Sequence, residues 1–160
     1  MSQFETRPAA ARGIDPRAPR FAAGITAVVL LVAVFLGLVA PLAGLIVLAA
    51  QTVVFAIGAF GGIRRGPYGI VFRALVRPRL APPTELEDPA PPTFSQVVGF
   101  VVAGVGVVLG LVGLTWAVPL FGAFAFVAAF LNAVFGYCLG CQLYLLGVRA
   151  GVLGRARRSA

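Results

Sequence analysis

Two stretches of this sequence contain no ionisable group other than cysteine and tyrosine: residues 21–63, 43 long, and residues 93–148, 56 long. A bilayer core takes about 20 apolar residues per helix, so each stretch is long enough to cross twice. Single crossings would leave many apolar residues with nothing to bury them. The apolar runs are continuous rather than alternating, which selects helices over barrel strands. The expected fold is all-α, an integral membrane four-helix bundle made of two hairpins.

Proline fits the first turn of a helix and disfavours helix in the residue before it. Pro41 and Pro119 therefore mark the starts of returning helices, giving approximate spans of 21–40, 42–63, 96–115 and 119–148. Residues 21–40 are too long for the apolar core of a signal peptide and lead straight into another span. Trp116, the only tryptophan, suits an anchor at the outer membrane interface.

All 13 basic residues are arginines, and they lie in the tail 1–20, the loop 64–95 and the tail 149–160, with none in the two turns. Four crossings put these three segments on one side, which the positive-inside rule makes the cytoplasm. The expected location is a bacterial plasma membrane, multi-pass, with both termini inside. The net charge of +8 follows from this bias and from attraction to anionic lipid, so no nucleic-acid partner is implied. Arginine without lysine, beside abundant Ala, Gly, Pro and Val, matches GC-rich coding.

Within the central loop, residues 68–77 lie between Pro67 and Pro78. On a helix, Tyr68, Val71, Phe72 and Leu75 share one face and Arg73 and Arg77 the other, the pattern of a short interfacial helix with arginines towards lipid phosphate. A plain basic loop is the alternative. Residues 78–93 hold Glu85, Glu87 and Asp88 among many prolines and read as an extended, solvated segment. No histidine is present, which removes histidine catalysis, haem ligation by histidine and mixed Cys/His zinc sites. Neither a metal site nor a cofactor is expected.

Polar groups inside a bilayer are expensive. Gln51 and Thr52 fall mid-way along the second span and Asn132 within the fourth. An interhelical hydrogen bond from Asn132 to Gln51 or Thr52 is the expected use, with a polar pocket feeding the cysteines as the alternative. Glycines recur four apart at Gly58 and Gly62, Gly106 and Gly110, and Gly136 and Gly140, the spacing of close helix contacts. The same stripe leaves a homo-oligomer open.

Cys138-Leu139-Gly140-Cys141 is the one candidate chemical site. Two cysteines three apart share a helix face, where they pack inertly, exchange thiol and disulfide, or hold a metal with two further ligands. The stretch 119–148 would be ~45 Å long as one helix, against a core of ~30 Å. It must tilt, protrude or break, and Gly136 and Gly140 are the places to break. A continuous helix buries the thiols and leaves them inert, whereas a break presents them at a new helix N-terminus that favours thiolate.

The runs Ile14-Asp15-Pro16-Arg17, Pro67-Tyr68, Arg77-Pro78-Arg79-Leu80, Glu85-Leu86-Glu87-Asp88-Pro89 and Asn132-Ala133-Val134-Phe135-Gly136-Tyr137-Cys138-Leu139-Gly140-Cys141 together resemble a family of small actinobacterial membrane proteins, domain of unknown function 4395. A Gly-x-Cys before the last cytoplasmic turn is also similar to the membrane part of rhodanese-fused inner-membrane proteins. The resemblance implies thiol-redox or sulfur chemistry with a thioredoxin-like or sulfurtransferase partner. It also implies that residues 14–21 and the acidic proline-rich loop are ordered beneath the bundle. In a dithiol site Cys141, as the more exposed sulfur, is expected as the attacking thiol and Cys138 as the resolving one, with Asn132, Tyr137 and Gln142 shaping the pocket. Two other functions stay open: a scaffold docking a soluble partner through residues 78–93, and a subunit of a sulfur-oxyanion transporter.

Overall fold

The computed structural model describes residues 13–153. Four long helices, α1 (Arg17–Val39), α2 (Pro41–Gly61), α4 (Ala90–Leu111) and α5 (Ala117–Phe135), form the bundle, with the short helices α3 (Pro67–Val71) and α6 (Leu139–Arg149) at one end. These four are, among the described residues, the helices long and apolar enough to cross a membrane. The hairpins pair so that α1 lies between α2 and α5, and α4 likewise. The turns lie at one end of the bundle; α3, α6 and the arginines among the described residues lie at the other, called here the arginine end.

Side-chain size is sorted from inside to outside. Ala23, Ala27, Leu30, Ala33, Leu48 and Ala103 are buried between helices, while Val28, Phe35, Leu42 and Phe60 point outwards, Phe60 79% exposed. A soluble protein rarely leaves so wide an apolar surface uncovered. This bundle has its larger apolar groups outside because lipid is its solvent: it is an integral membrane protein. Association in lipid relies on close packing, and glycine supplies it. Backbone meets backbone where Gly44 of α2 lies against Gly37 of α1. Gly106 and Gly110 of α4 receive Phe121 and Val118 of α5, and Gly58 of α2 receives the Gln96 side chain of α4.

Both prolines expected at turns open helices. Ala40 alone separates α1 from α2, whose first residue is Pro41. Pro119 stands in the first turn of α5, just after the exposed Trp116. α4 starts earlier than its apolar stretch indicated, at Ala90, because Pro91 and Pro92 fit a first turn, where no intrahelical N–H bond is lost. Asp88 accepts a hydrogen bond from the Ala90 N–H at 2.9 Å there.

The central loop holds the short helix expected from its pattern. After α3 the chain continues through a wide π-type turn, Phe72–Val76, and a tight 3₁₀ turn, Arg77–Arg79. Phe72 is fully buried and its ring lies 5.6 Å from that of Phe21 at the start of α1. Val71 and Leu75 remain exposed, so only part of the expected apolar face packs on the bundle.

The N-terminal strap and the acidic loop pair with each other. Ile14 and Glu87 exchange two backbone hydrogen bonds of 2.9 Å. Arg17 grips the buried Asp15 carboxylate with Nε at 2.9 Å and Nη2 at 2.8 Å, and also donates to the Ala81 carbonyl. The tail residues 1–12 and 154–160, including Arg7, Arg12, Arg155, Arg157 and Arg158, lie outside the described residues.

Two tests follow from this packing. Gly106→Ala sets a Cβ 2.7 Å from Phe121 Cβ and 3.1 Å from Leu48 Cδ2, an overpacking that costs about 1–3 kcal/mol. Gly24 has nothing within 4 Å of such a Cβ, so Gly24→Ala gains helix propensity of up to about 1 kcal/mol; thermal unfolding in detergent should move in opposite directions. The Arg17 hydrogen bonds hold the Asp15 carboxyl below its ordinary value. The folded state thus disfavours protonation, so this stabilisation is complete above the free carboxyl's ~3.9 and is lost as pH falls through the lowered folded value. Hydrogen exchange of residues 13–18 should rise in that acid window, and in Asp15→Asn at neutral pH.

Candidate functional site

The expected fourth span, 119–148, is not one helix. α5 stops at Phe135, and Gly136 adopts φ +67°, the left-handed conformation that glycine takes without a Cβ clash. The chain curls back so that Gly136 N–H donates to the Asn132 carbonyl at 3.1 Å and Tyr137 N–H to the Leu131 carbonyl at 3.2 Å, capping carbonyls that would otherwise face lipid. The Arg20 guanidinium lies beside this break, 3.6 Å from where a Gly136 Cβ would stand. Of the two glycines expected to break the helix, Gly136 does so. Gly140 lies inside α6, pressed on the Ser95 backbone of α4.

Cys138 is the N-cap residue of α6, in extended conformation, and its Sγ accepts a hydrogen bond from the Cys141 N–H at 3.3 Å. Cys138 and Cys141 form a disulfide with their Cα atoms 5.2 Å apart. Both are half-buried. α6 is fixed against the first turns of α4 by the Gly140–Ser95 contact and by the Tyr144 ring, 5.7 Å from Phe94. The pair thus stands at the arginine end, next to the bundle interior.

A cavity of about 210 Å³ opens beside it, bounded by α1, α2, α4, α5 and α6. Cys138 and Leu139 line one end, Phe124 and Val102 the other, with Asn132, Gln96 and Thr26 as polar groups on its walls. A second cavity of about 350 Å³ adjoins it below the strap, lined by Arg64, Arg73, Arg77, Tyr68 and Asp15. The two share Pro19, Thr26, Ile63 and Gln96.

The expected Asn132 hydrogen bond to α2 is not formed. Thr52 donates to the Leu48 carbonyl of its own helix at 2.8 Å, a common resort of a hydroxyl in an apolar helix. Gln51 is 1% exposed and accepts from the Tyr68 hydroxyl of α3 at 2.8 Å, which ties the loop helix to the bundle. Its Nε2 is buried without a partner among the described residues. Burial raises the Tyr68 hydroxyl above its ordinary value and keeps it a donor. Asn132 shares a cavity with Cys138 instead. Tyr137 and Gln142 are exposed and do not line that cavity, Arg73 and Arg77 line the larger one, and Trp116 stands at the opposite end of the bundle.

Thr26, Gln96 and Arg20 reach the site without having been expected there. Each lies in the early turns of an apolar helix, and a polar residue at that depth was the available signal. Which wall it faces depends on the rotation of α1 and α4.

No curated protein and no solved structure matches this chain. A family model described as Domain of unknown function (DUF4395) matches residues 14–149, from the strap residue paired with Glu87 to the last residue of α6. The whole described bundle and its cysteine pair lie inside that match, and the chain belongs to the DUF4395 family.

Proposed function

We propose that this protein is a membrane-embedded dithiol–disulfide exchange component of a bacterial plasma membrane, working through Cys138 and Cys141 with its arginine end in the cytoplasm. The observation that carries the reading is the pairing of the two sulfurs across the N-terminus of α6, with Cys138 as N-cap. When the bond is reduced, the Cys141 N–H and the positive end of the helix stabilise charge on the Cys138 sulfur. Arg20 adds a positive charge beside the break. Cys138 is therefore the attacking thiolate and Cys141 the resolving thiol, the reverse of the order expected from sequence.

The arginine distribution supports the orientation. Thiols on the cytoplasmic side are normally kept reduced, and disulfides that form there are mostly transient and catalytic. A bridge across three residues also closes too short a loop to stabilise the fold much by chain entropy, which favours exchange over a structural role. Exchange with a soluble dithiol partner of thioredoxin type proceeds by attack of one thiolate on the other's disulfide through a mixed disulfide, which the remaining thiol resolves.

Maleimide labelling of reduced native membranes tests the assignment. In Cys141→Ser the remaining Cys138 should label at pH 7 about tenfold faster than the remaining Cys141 does in Cys138→Ser, since the thiolate fraction sets the rate. Silence of both thiols in reduced membranes would sink the reading. Gly136→Ala forces a side chain into the left-handed region at a cost of about 1–2 kcal/mol. It should slow Cys138 labelling by loosening the cap, while Gly24→Ala leaves the labelling unaltered.

A further inference from the structure

Cys138 lines a cavity whose other walls are apolar except for four polar side chains, Thr26, Ser95, Gln96 and Asn132. Thr26 is 6% exposed and lines it, and its hydroxyl makes no hydrogen bond among the described residues. Gln96 and Asn132 line it from α4 and α5, and their amide groups are likewise without a side-chain partner there. Polar groups in a bundle interior are expensive unless they are hydrogen-bonded. Thr26, Gln96 and Asn132 line the same space as Phe55, Phe124 and Val102.

That lining selects a ligand. The cavity runs along α5 from Phe124 to Asn132, ~12 Å of helix. Its 210 Å³ falls below the ~300–1,000 Å³ usual for larger ligands, room for one compact ring system. The ligand must arrive from the bilayer or the interface, present flat apolar faces, and accept hydrogen bonds from amide and hydroxyl donors. It must also suit a dithiol, which can release two electrons and two protons together.

We infer that this cavity takes the head group of a lipid-soluble quinone, with Cys138 and Cys141 as its electron donors. The inference rests on the exchange reading above and names the oxidant for it. Two S–H bonds break and the Cys138–Cys141 S–S bond forms. The two sulfurs lose two electrons in total, and the quinone gains them. Two protons end on its carbonyl oxygens, which become the hydroxyls of the quinol. Gln96 and Asn132 donate to the carbonyl oxygens and hold the ring beside Cys138. An acyl chain, the other occupant that a bilayer offers, would give these polar groups no partner.

The full chain, reduced and placed in nanodiscs of quinone-free phosphatidylcholine, provides the test. Ubiquinone-1 is the probe, since its fully substituted ring resists simple alkylation by thiols. One quinol per protein should form, read as loss of quinone ultraviolet absorbance, together with loss of two titratable thiols. Oxidation by the water-soluble reagent diamide is measured on the same samples as the reference. Gln96→Leu, which removes one hydrogen bond, and Ala128→Phe, which fills the cavity, should each lower the ratio of the quinone rate to the diamide rate about tenfold. If either variant fails to assemble, the other carries the comparison.

Oxidation by diamide with none by the quinone overturns the inference and leaves the exchange reading standing. Quinone oxidation at an unaltered ratio in both variants overturns it as well, because the ring then reacts outside the cavity. A pair inert to diamide and to quinone alike removes both readings.

Discussion

A helix that ends at the edge of a bilayer must find donors for its last carbonyls, and the end of α5 meets this requirement by turning the chain at Gly136. The site depends on that turn. Had the helix continued, Cys138 and Cys141 would sit one turn apart on an apolar surface, with no free N–H near either sulfur. Because Gly136 takes a left-handed conformation, residues 136–138 leave the helix and Cys138 caps the next one. The same few residues that satisfy the carbonyls of Leu131 and Asn132 therefore give the sulfurs a polar partner. Backbone bookkeeping and thiol chemistry are here one geometric event.

The cavities lie at the arginine end, where short elements complete the packing. Towards the turn end, Gly37, Gly44, Gly106 and Gly110 let α1, α2, α4 and α5 approach closely. Towards the arginine end Gly58 and Gly99 receive the larger side chains of Gln96 and Phe55, and the neighbouring elements there are short. Packing there is completed by α3, α6 and the strap, which do not fill the interior as a fifth long helix would. Gln51 shows what this requires. It is buried among apolar groups and is met by a hydroxyl from α3, so the loop helix closes part of the bundle floor.

Much of this was legible from residue order. Charge-free stretches and two prolines specify four helices and their turns, because burying backbone in lipid leaves so few alternatives. The excess length of residues 119–148 already required a tilt, a protrusion or a break, and Gly136 was one of two candidates for the break. Order in the strap and in the acidic loop came from resemblance, and their pairing was not foreseen, since neither segment has a periodicity that predicts an isolated bridge. The partner of Gln51 was not legible. Helical period places Gln51, Thr52 and Asn132 on faces of their own helices, but which faces meet depends on helix rotation, and small apolar residues all round a helix specify that poorly. Thr52 found its partner within its own helix, which no interhelical pattern announces.

The charged groups divide the arginine end into two environments that share a wall. Asp15 is engaged by Arg17, so that carboxylate holds the strap in place, and Arg64, Arg73 and Arg77 line the larger cavity with it. The smaller cavity is bounded by apolar groups and amides, with Cys138 at its end. Pro19, Thr26, Ile63 and Gln96 belong to both. Pro19, two residues beyond the Asp15–Arg17 clamp, thus joins the strap to the wall of the cysteine chamber. That makes the Asp15–Arg17 clamp a structural neighbour of the Cys138–Cys141 pair, across a wall that both cavities share.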